Sequence, residues 1–188
     1  MVDAIHRNAS LLAMAFLVVH ILTSVLDSFA PIALTDAIIP FAGSYRSFWL
    51  GLGAVSFDLL VAVTITSLLR QHIGLAAWRA VHWSVYASWP VALLHGLGTG
   101  SDVKATWLLV ISIGCLLVVL AAVLTRALTS MPGGIRGRGA ALGGAGAFSL
   151  FLALWLPSGP LSSEWARRSG TPTNLLPQHG ASAVGTAR

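Results

Sequence analysis

The sequence predicts an all-α integral membrane protein, a bundle of about five transmembrane helices. Three observations carry this expectation. Of 188 residues, 56% are hydrophobic and only 9% are charged, where a soluble domain carries roughly a quarter charged residues. So little charge cannot cover a surface that faces water all round. Five apolar runs lie along the chain, each near the about 20 residues that a helix needs to cross hydrocarbon. The net charge of +5 comes from arginines scattered at the ends of these runs. That pattern signals topology, not a basic stripe for nucleic acid, and no nucleic-acid partner is expected.

In order, the runs are residues 11–26, 48–69, 75–97, 106–125 and the glycine-rich 140–156. All are read as helices, because helices and closed barrels alone satisfy their backbone in lipid, and the dyad alternation of a barrel strand is missing. The first run is read as a span and not a cleaved signal, since "DSFA" followed by Pro31 is a poor cleavage site and the segment before the run holds only one arginine. Arg7, Arg70, Arg79, Arg126, Arg136 and Arg138 fall on one side. Arg46 and Lys104 fall on the other, offset by Asp27, Asp36 and Asp102. The positive-inside rule then puts the N-terminus in the cytoplasm and, after five spans, the C-terminus outside. Residues 1–156 form the membrane domain and 157–188 an extracytoplasmic tail.

Between the first two spans, "DSFAPIALTDAIIPFAGSYRSFW" is half apolar, and residues 34–39 suit a short interfacial helix. "SMPGGIRGRGA" reads as a glycine- and arginine-rich inner linker. Gly143, Gly144 and Gly146 would allow close packing of the last span. Cys115 is alone, which excludes an internal disulfide, a dithiol redox pair and a cysteine-based zinc or iron–sulfur site. Arginine outnumbers lysine ten to one, a composition of GC-rich bacterial genomes, and the expected location is the bacterial cytoplasmic membrane.

The histidines carry the chemistry. His72 and His179 fall in a loop and in the tail, where solvation accounts for them. The other four form two pairs: His6 and His20 are 14 residues apart, His82 and His95 are 13 apart. Both spacings are near four turns, so each pair is expected on one helix face, its members separated by about 20 Å. Spans one and three run in the same direction, which sets His6 level with His82 and His20 level with His95. Asp27 follows His20 by seven residues, and Asp102 follows His95 by seven, in keeping with this register. Two levels of two imidazoles make bis-histidine ligation of iron possible. Each histidine taken singly is equally well read as an interhelical hydrogen-bond donor.

The segments "HRNASLLAMAFLVVH" and "SLLRQHIGLAAWRAVHWSVYASWPVALLHGLGTGSD" resemble the ferric-reductase-like transmembrane domain. That family includes the membrane cores of NADPH oxidases and ferric reductases and the haem-binding membrane subunit of the bacterial methionine sulfoxide reductase system. The resemblance covers roughly residues 4–126 and rests on His20, on Trp78, Arg79 and His82 at the entry to the third span, and on His95. It implies b-type haem with His6, His20, His82 and His95 as axial ligands, and electron transfer across the membrane. His6 stands where two-haem members carry histidine and some short bacterial members carry arginine. Two haems are therefore favoured over one.

The flavin and nicotinamide domain of the larger reductases has no counterpart here. "GLGTGSD" follows a membrane helix and lacks the strand a nucleotide loop needs, so no flavin or NAD(P) site is expected. The chain reads as an electron-transfer subunit, not catalytic alone. Electrons would come from a separate flavoprotein or from quinol and leave to another acceptor. Arg7, Arg70 and Arg79 are candidate propionate partners of an inner haem. Arg46, Tyr45 and Lys104 are candidates for an outer one. Trp78, Trp83, Tyr86 and Trp89 line the third span, and Pro90 should bend it. Asp58, deep in the second span, is expected neutral or paired, in a proton or hydrogen-bond role or as a polar clamp to Ser56 or Thr64. The competing reading is a haem-free small transporter or assembly subunit that uses the intramembrane histidines and Asp58.

Overall fold

A computed structural model describes residues 2–129 and 134–176. The end of the tail, with His179, and part of the "SMPGG" linker lie outside these residues. The regular structure among the described residues is helical: α1 (Val2–Leu26), a 3-10 turn (Leu34–Ala37), α2 (Ser47–Leu68), α3 (Arg70–Ile73), α4 (Leu75–Trp83), α5 (Val85–Thr99), α6 (Thr106–Thr129), α7 (Gly134–Ser158), α8 (Trp165–Arg168) and a second 3-10 turn (Thr173–Leu175). Four helices, α1, α2, α6 and α7, are long and apolar enough to cross a membrane. The protein is thus an all-α chain of membrane-protein character.

The expected third span is not one helix. It is interrupted at Ser84, six residues before Pro90. Two devices loosen the helix here. Ser84 Oγ donates to the Val81 carbonyl (2.7 Å) and Ser88 Oγ to the Val85 carbonyl (2.8 Å); such back-bonding bends helices. Pro90 adds a missing N–H and a ring that crowds the carbonyl four residues earlier.

Other elements also differ from expectation. The 34–39 interfacial helix is a single 3-10 turn closed by buried Asp36, whose carboxylate accepts from the Ala33 N–H (3.0 Å). The linker is helical from Gly134, so Arg136 and Arg138 belong to α7.

The chain divides into two compact units, residues up to Thr99 with those from Ala166, and Gly100–Trp165. In the second, α6 and α7 pair. An added Cβ at Gly143, Gly144 or Gly146 would meet nothing within 4 Å among the described residues, so these glycines do not mark a close helix approach. Aromatic side chains finish α7: Phe151 stacks on Trp155 (5.7 Å between centroids), and Trp155 meets Trp165 edge-on (5.7 Å).

In the first unit the closest packing is α2 against α5. Glycines permit it: Gly53 lies against the His95 ring, and Gly98 lies under the indole of Trp49, while Gly51 makes room for Phe41 of the preceding loop. Ser56 Oγ, buried, donates across this interface to the Ser88 carbonyl (3.1 Å).

One end of the interface is closed by Arg46, 5% exposed, in a left-handed conformation (φ 42°). Its Nη1 donates to the carbonyls of Gly98 (3.2 Å) and Thr99 (2.9 Å), the last acceptors of α5, and its Nε donates to Thr171 Oγ1 (2.9 Å). Its backbone N–H donates to the Gly170 carbonyl (3.1 Å). A guanidinium suits a helix C-terminus, where unpaired carbonyls and the helix dipole both favour a cation. Gly170 and Thr171 of the tail are therefore docked onto the α1–α2 loop.

Arg46→Ala should lower stability by on the order of 3 kcal/mol, because charged hydrogen bonds are lost and buried carbonyls are left unpaired. Arg46→Lys should recover only part, since an ammonium lacks the fork. Thermal unfolding in detergent measures both.

Candidate functional site

The site is built around His95. It lies near the end of α5, facing the first turns of α2. Nδ1 of His95 is 2.9 Å from the Trp49 carbonyl. That carbonyl belongs to the helical turn ending at residue 53. At Gly53 an added Cβ would fall 2.6 Å from Cε1 and Nδ1 of His95. One turn of α2 thus supplies both the acceptor and the space for the ring. The acceptor puts the proton on Nδ1, which leaves Nε2 with its lone pair free to bind a metal. A histidine that gives its other N–H to a carbonyl is the usual second layer of a metal ligand. Thr99 Oγ1 adds a longer contact to Nδ1 (3.4 Å).

Opposite His95 stands His20 of α1, ring centroids 6.4 Å apart and planes at 81°. The second pair repeats this geometry. His6 of α1 and His82 of α4 have centroids 6.4 Å apart and planes at 73°. A metal ion held by one nitrogen of each ring, with bonds of about 2.0–2.1 Å, would be compatible with this separation. The backbone of α1 comes close chiefly to the 3-10 turn that follows it. Its histidine face opposes α4 and α5 with far sparser backbone packing than α2 makes against α5.

His82 differs from His95 in its surroundings. Its Nδ1 is buried and has no hydrogen-bond partner among the described residues. The Trp78 indole stacks on its ring (4.8 Å between centroids, 27°), and the Arg70 guanidinium lies over that indole (4.6 Å to the centroid). Trp78 is tied down by its Nε1, which donates to Ser67 Oγ (3.3 Å).

The four histidines of the sequence reading are thus brought together in two pairs; the candidate propionate partners are less uniform. Arg70 is engaged with Trp78, and Arg46 with the end of α5 and with Tyr45, whose ring lies 5.5 Å away. Arg7 and Arg79 are exposed, and so is Lys104, in the other unit. Of the third-span aromatics, Trp83 and Tyr86 are exposed and pair with each other (5.2 Å). Asp58, partly buried, makes no hydrogen bond or ion pair among the described residues; Ser56 and Thr64 donate to the Ser88 and Leu60 carbonyls instead.

The sequence reading missed the Trp49 carbonyl, Gly53 and Gly98. The small-residue spacing in "LGLGAV" was the available signal for Gly53; a backbone acceptor has none. No group of three or more histidine, cysteine, aspartate or glutamate side chains arranged for a metal occurs among the described residues. Each histidine pair thus offers two nitrogens, and further ligands at either position would have to come from a prosthetic group or solvent.

No protein-family model, curated protein or solved structure matches the chain.

Gly53→Ala should destabilise the protein by about 1–3 kcal/mol, because its methyl group overlaps the His95 ring. Gly96→Ala, where an added Cβ meets nothing within 4 Å, is the control and should be neutral or stabilising by up to about 1 kcal/mol. Equal unfolding midpoints for the two variants would contradict the cradle.

Proposed function

We propose that the chain is a membrane b-type cytochrome related to the ferric-reductase-like transmembrane domain, holding two haems and passing electrons between the faces of the bacterial cytoplasmic membrane. The carrying observation is the repeated geometry: His6 with His82 and His20 with His95, each 6.4 Å between centroids. Two nitrogens per level and no third side-chain ligand suit a macrocycle that supplies the remaining four. The sparse backbone packing of α1 against α4 and α5 suits a flat group between them.

Held by His6 with His82 and by His20 with His95, haem would supply a one-electron iron couple. The protein's own groups do the rest. Trp49 orients His95 through its carbonyl, and Gly53 makes room for the ring. Trp78 holds the plane of His82. Arg7, next to His6 in sequence, and Arg79, on the helix of His82, are both exposed and are the candidate partners for propionates of the His6/His82 haem, with Tyr45 as a candidate at the other. The donor is a separate flavoprotein or quinol, and the acceptor is a separate component.

In the proposed topology α4 and α5 together form a fifth, broken span, with the N-terminus inside and the C-terminus outside. Docking of Gly170 and Thr171 on Arg46 in the α1–α2 loop favours this odd number of crossings. The tail would then lie on the side opposite the N-terminus.

The haem-free transporter reading draws on one observation, the unpartnered Asp58 carboxylate. Transporters pair broken helices from two repeats, whereas a single break, at Ser84, interrupts the span-length helical segments described. On the cytochrome reading Asp58→Asn leaves haem content at two per chain; a loss of proton-coupled solute uptake with no haem in the wild type would favour the transporter.

Purified protein should show a b-type spectrum that sharpens on dithionite reduction, with two haems per chain by pyridine haemochrome. His20→Ala and His6→Ala should each lower the count to one. Folded protein without haem would refute the proposal, and two haems retained in His6→Ala would remove the inner pair.

A further inference from the structure

The two histidine pairs share a ring separation but not an environment. His95 Nδ1 faces the Trp49 carbonyl at 2.9 Å, with Thr99 Oγ1 at 3.4 Å. His82 Nδ1 is buried without an acceptor. A ligand imidazole that donates its second N–H to a carbonyl gains negative character and becomes a stronger base. A stronger base stabilises the more positive, oxidised metal. An imidazole with no acceptor gives the oxidised state no such help.

Charge acts in the same sense. The Arg70 guanidinium lies 4.6 Å over the Trp78 ring, and that ring stacks on His82 at 4.8 Å. A cation two layers from the ligand disfavours the extra positive charge of the oxidised state and favours the reduced one. On the helix that carries His95, the cation Arg46 sits at the C-terminal end, where its guanidinium bonds the Gly98 and Thr99 carbonyls. Those helix-end dipoles offset its charge.

Building on the haem reading above, we infer that the two centres are unequal. The His6/His82 centre has the higher potential, so a single electron added to the protein resides there and not at the His20/His95 centre. The ordering is set by this chain's own groups: the Trp49 carbonyl and Gly53 on one side, the Arg70–Trp78 stack on the other. It makes the His6/His82 level the resting place of the first electron, whichever face the donor approaches.

An anaerobic redox titration of the full chain in detergent tests this, followed by optical absorbance and by the low-spin ferric electron paramagnetic resonance signals. The expected titration has two steps, with the electron preferring one centre at least tenfold, or about 59 mV for a one-electron couple. His20→Ala should retain the high-potential step and His6→Ala the low-potential step. Should either variant fail to fold, Arg70→Gln at an exposed position assigns the steps in the intact site: it should lower the high-potential step and leave the other in place. Haem bound at both pairs with equal or reversed potentials would overturn the inference while leaving the cytochrome reading intact. So would an Arg70→Gln shift confined to the low-potential step. A folded protein without haem would overturn the cytochrome reading itself, and a single haem would remove the pair on which the ordering depends.

Discussion

The contact between the first turns of α2 and the last turns of α5 is the constraint on which the first unit depends. Gly98 admits the Trp49 indole, and Gly53 admits the His95 imidazole. Each glycine lets a ring of the partner helix sit where its own side chain would be. Because helix association in lipid gains little from hydrophobic burial, close packing and interhelical hydrogen bonds must supply the specificity. The same turn that makes room for His95 offers it the Trp49 carbonyl, so one local arrangement fixes the ring's position, tautomer and tilt together. Arg46 then closes the end of this interface, binding the last carbonyls of α5 and gathering the start of the tail.

The helical class was legible in the sequence because it follows from the length and spacing of apolar runs, which report burial in lipid. The histidines were legible as two pairs, but periodicity aligns only His6 with His20; a straight helix would not align His82 with His95. Features that depend on the backbone were not legible. The Trp49 carbonyl looks like any other carbonyl in a list of residues. The role of Arg46 was hidden because its partners are Gly98, Thr99, Gly170 and Thr171, scattered in sequence and contributing mostly main-chain atoms. The glycines show the limit of composition as a guide. Gly143, Gly144 and Gly146 form the denser cluster, yet an added Cβ there meets nothing within 4 Å among the described residues, while Gly53 and Gly98 stand against rings.

The break at Ser84 resolves a difficulty that residue counting conceals. Fourteen residues bring His6 and His20 within about 40° of one another around α1, at about 100° per residue. Thirteen residues do not do the same for His82 and His95. On a straight helix they would lie roughly 140° apart in azimuth, and only one of them could face α1. Both do face it, at the same ring separation. The interruption between α4 and α5 falls between the two histidines, loosened by the back-bonded hydroxyls of Ser84 and Ser88 and by Pro90. It permits the azimuth of α4 to differ from that of α5. The irregular helix is therefore what makes the two levels equivalent in geometry. A more regular sequence between residues 83 and 90 would have kept the helix straight and separated the pair.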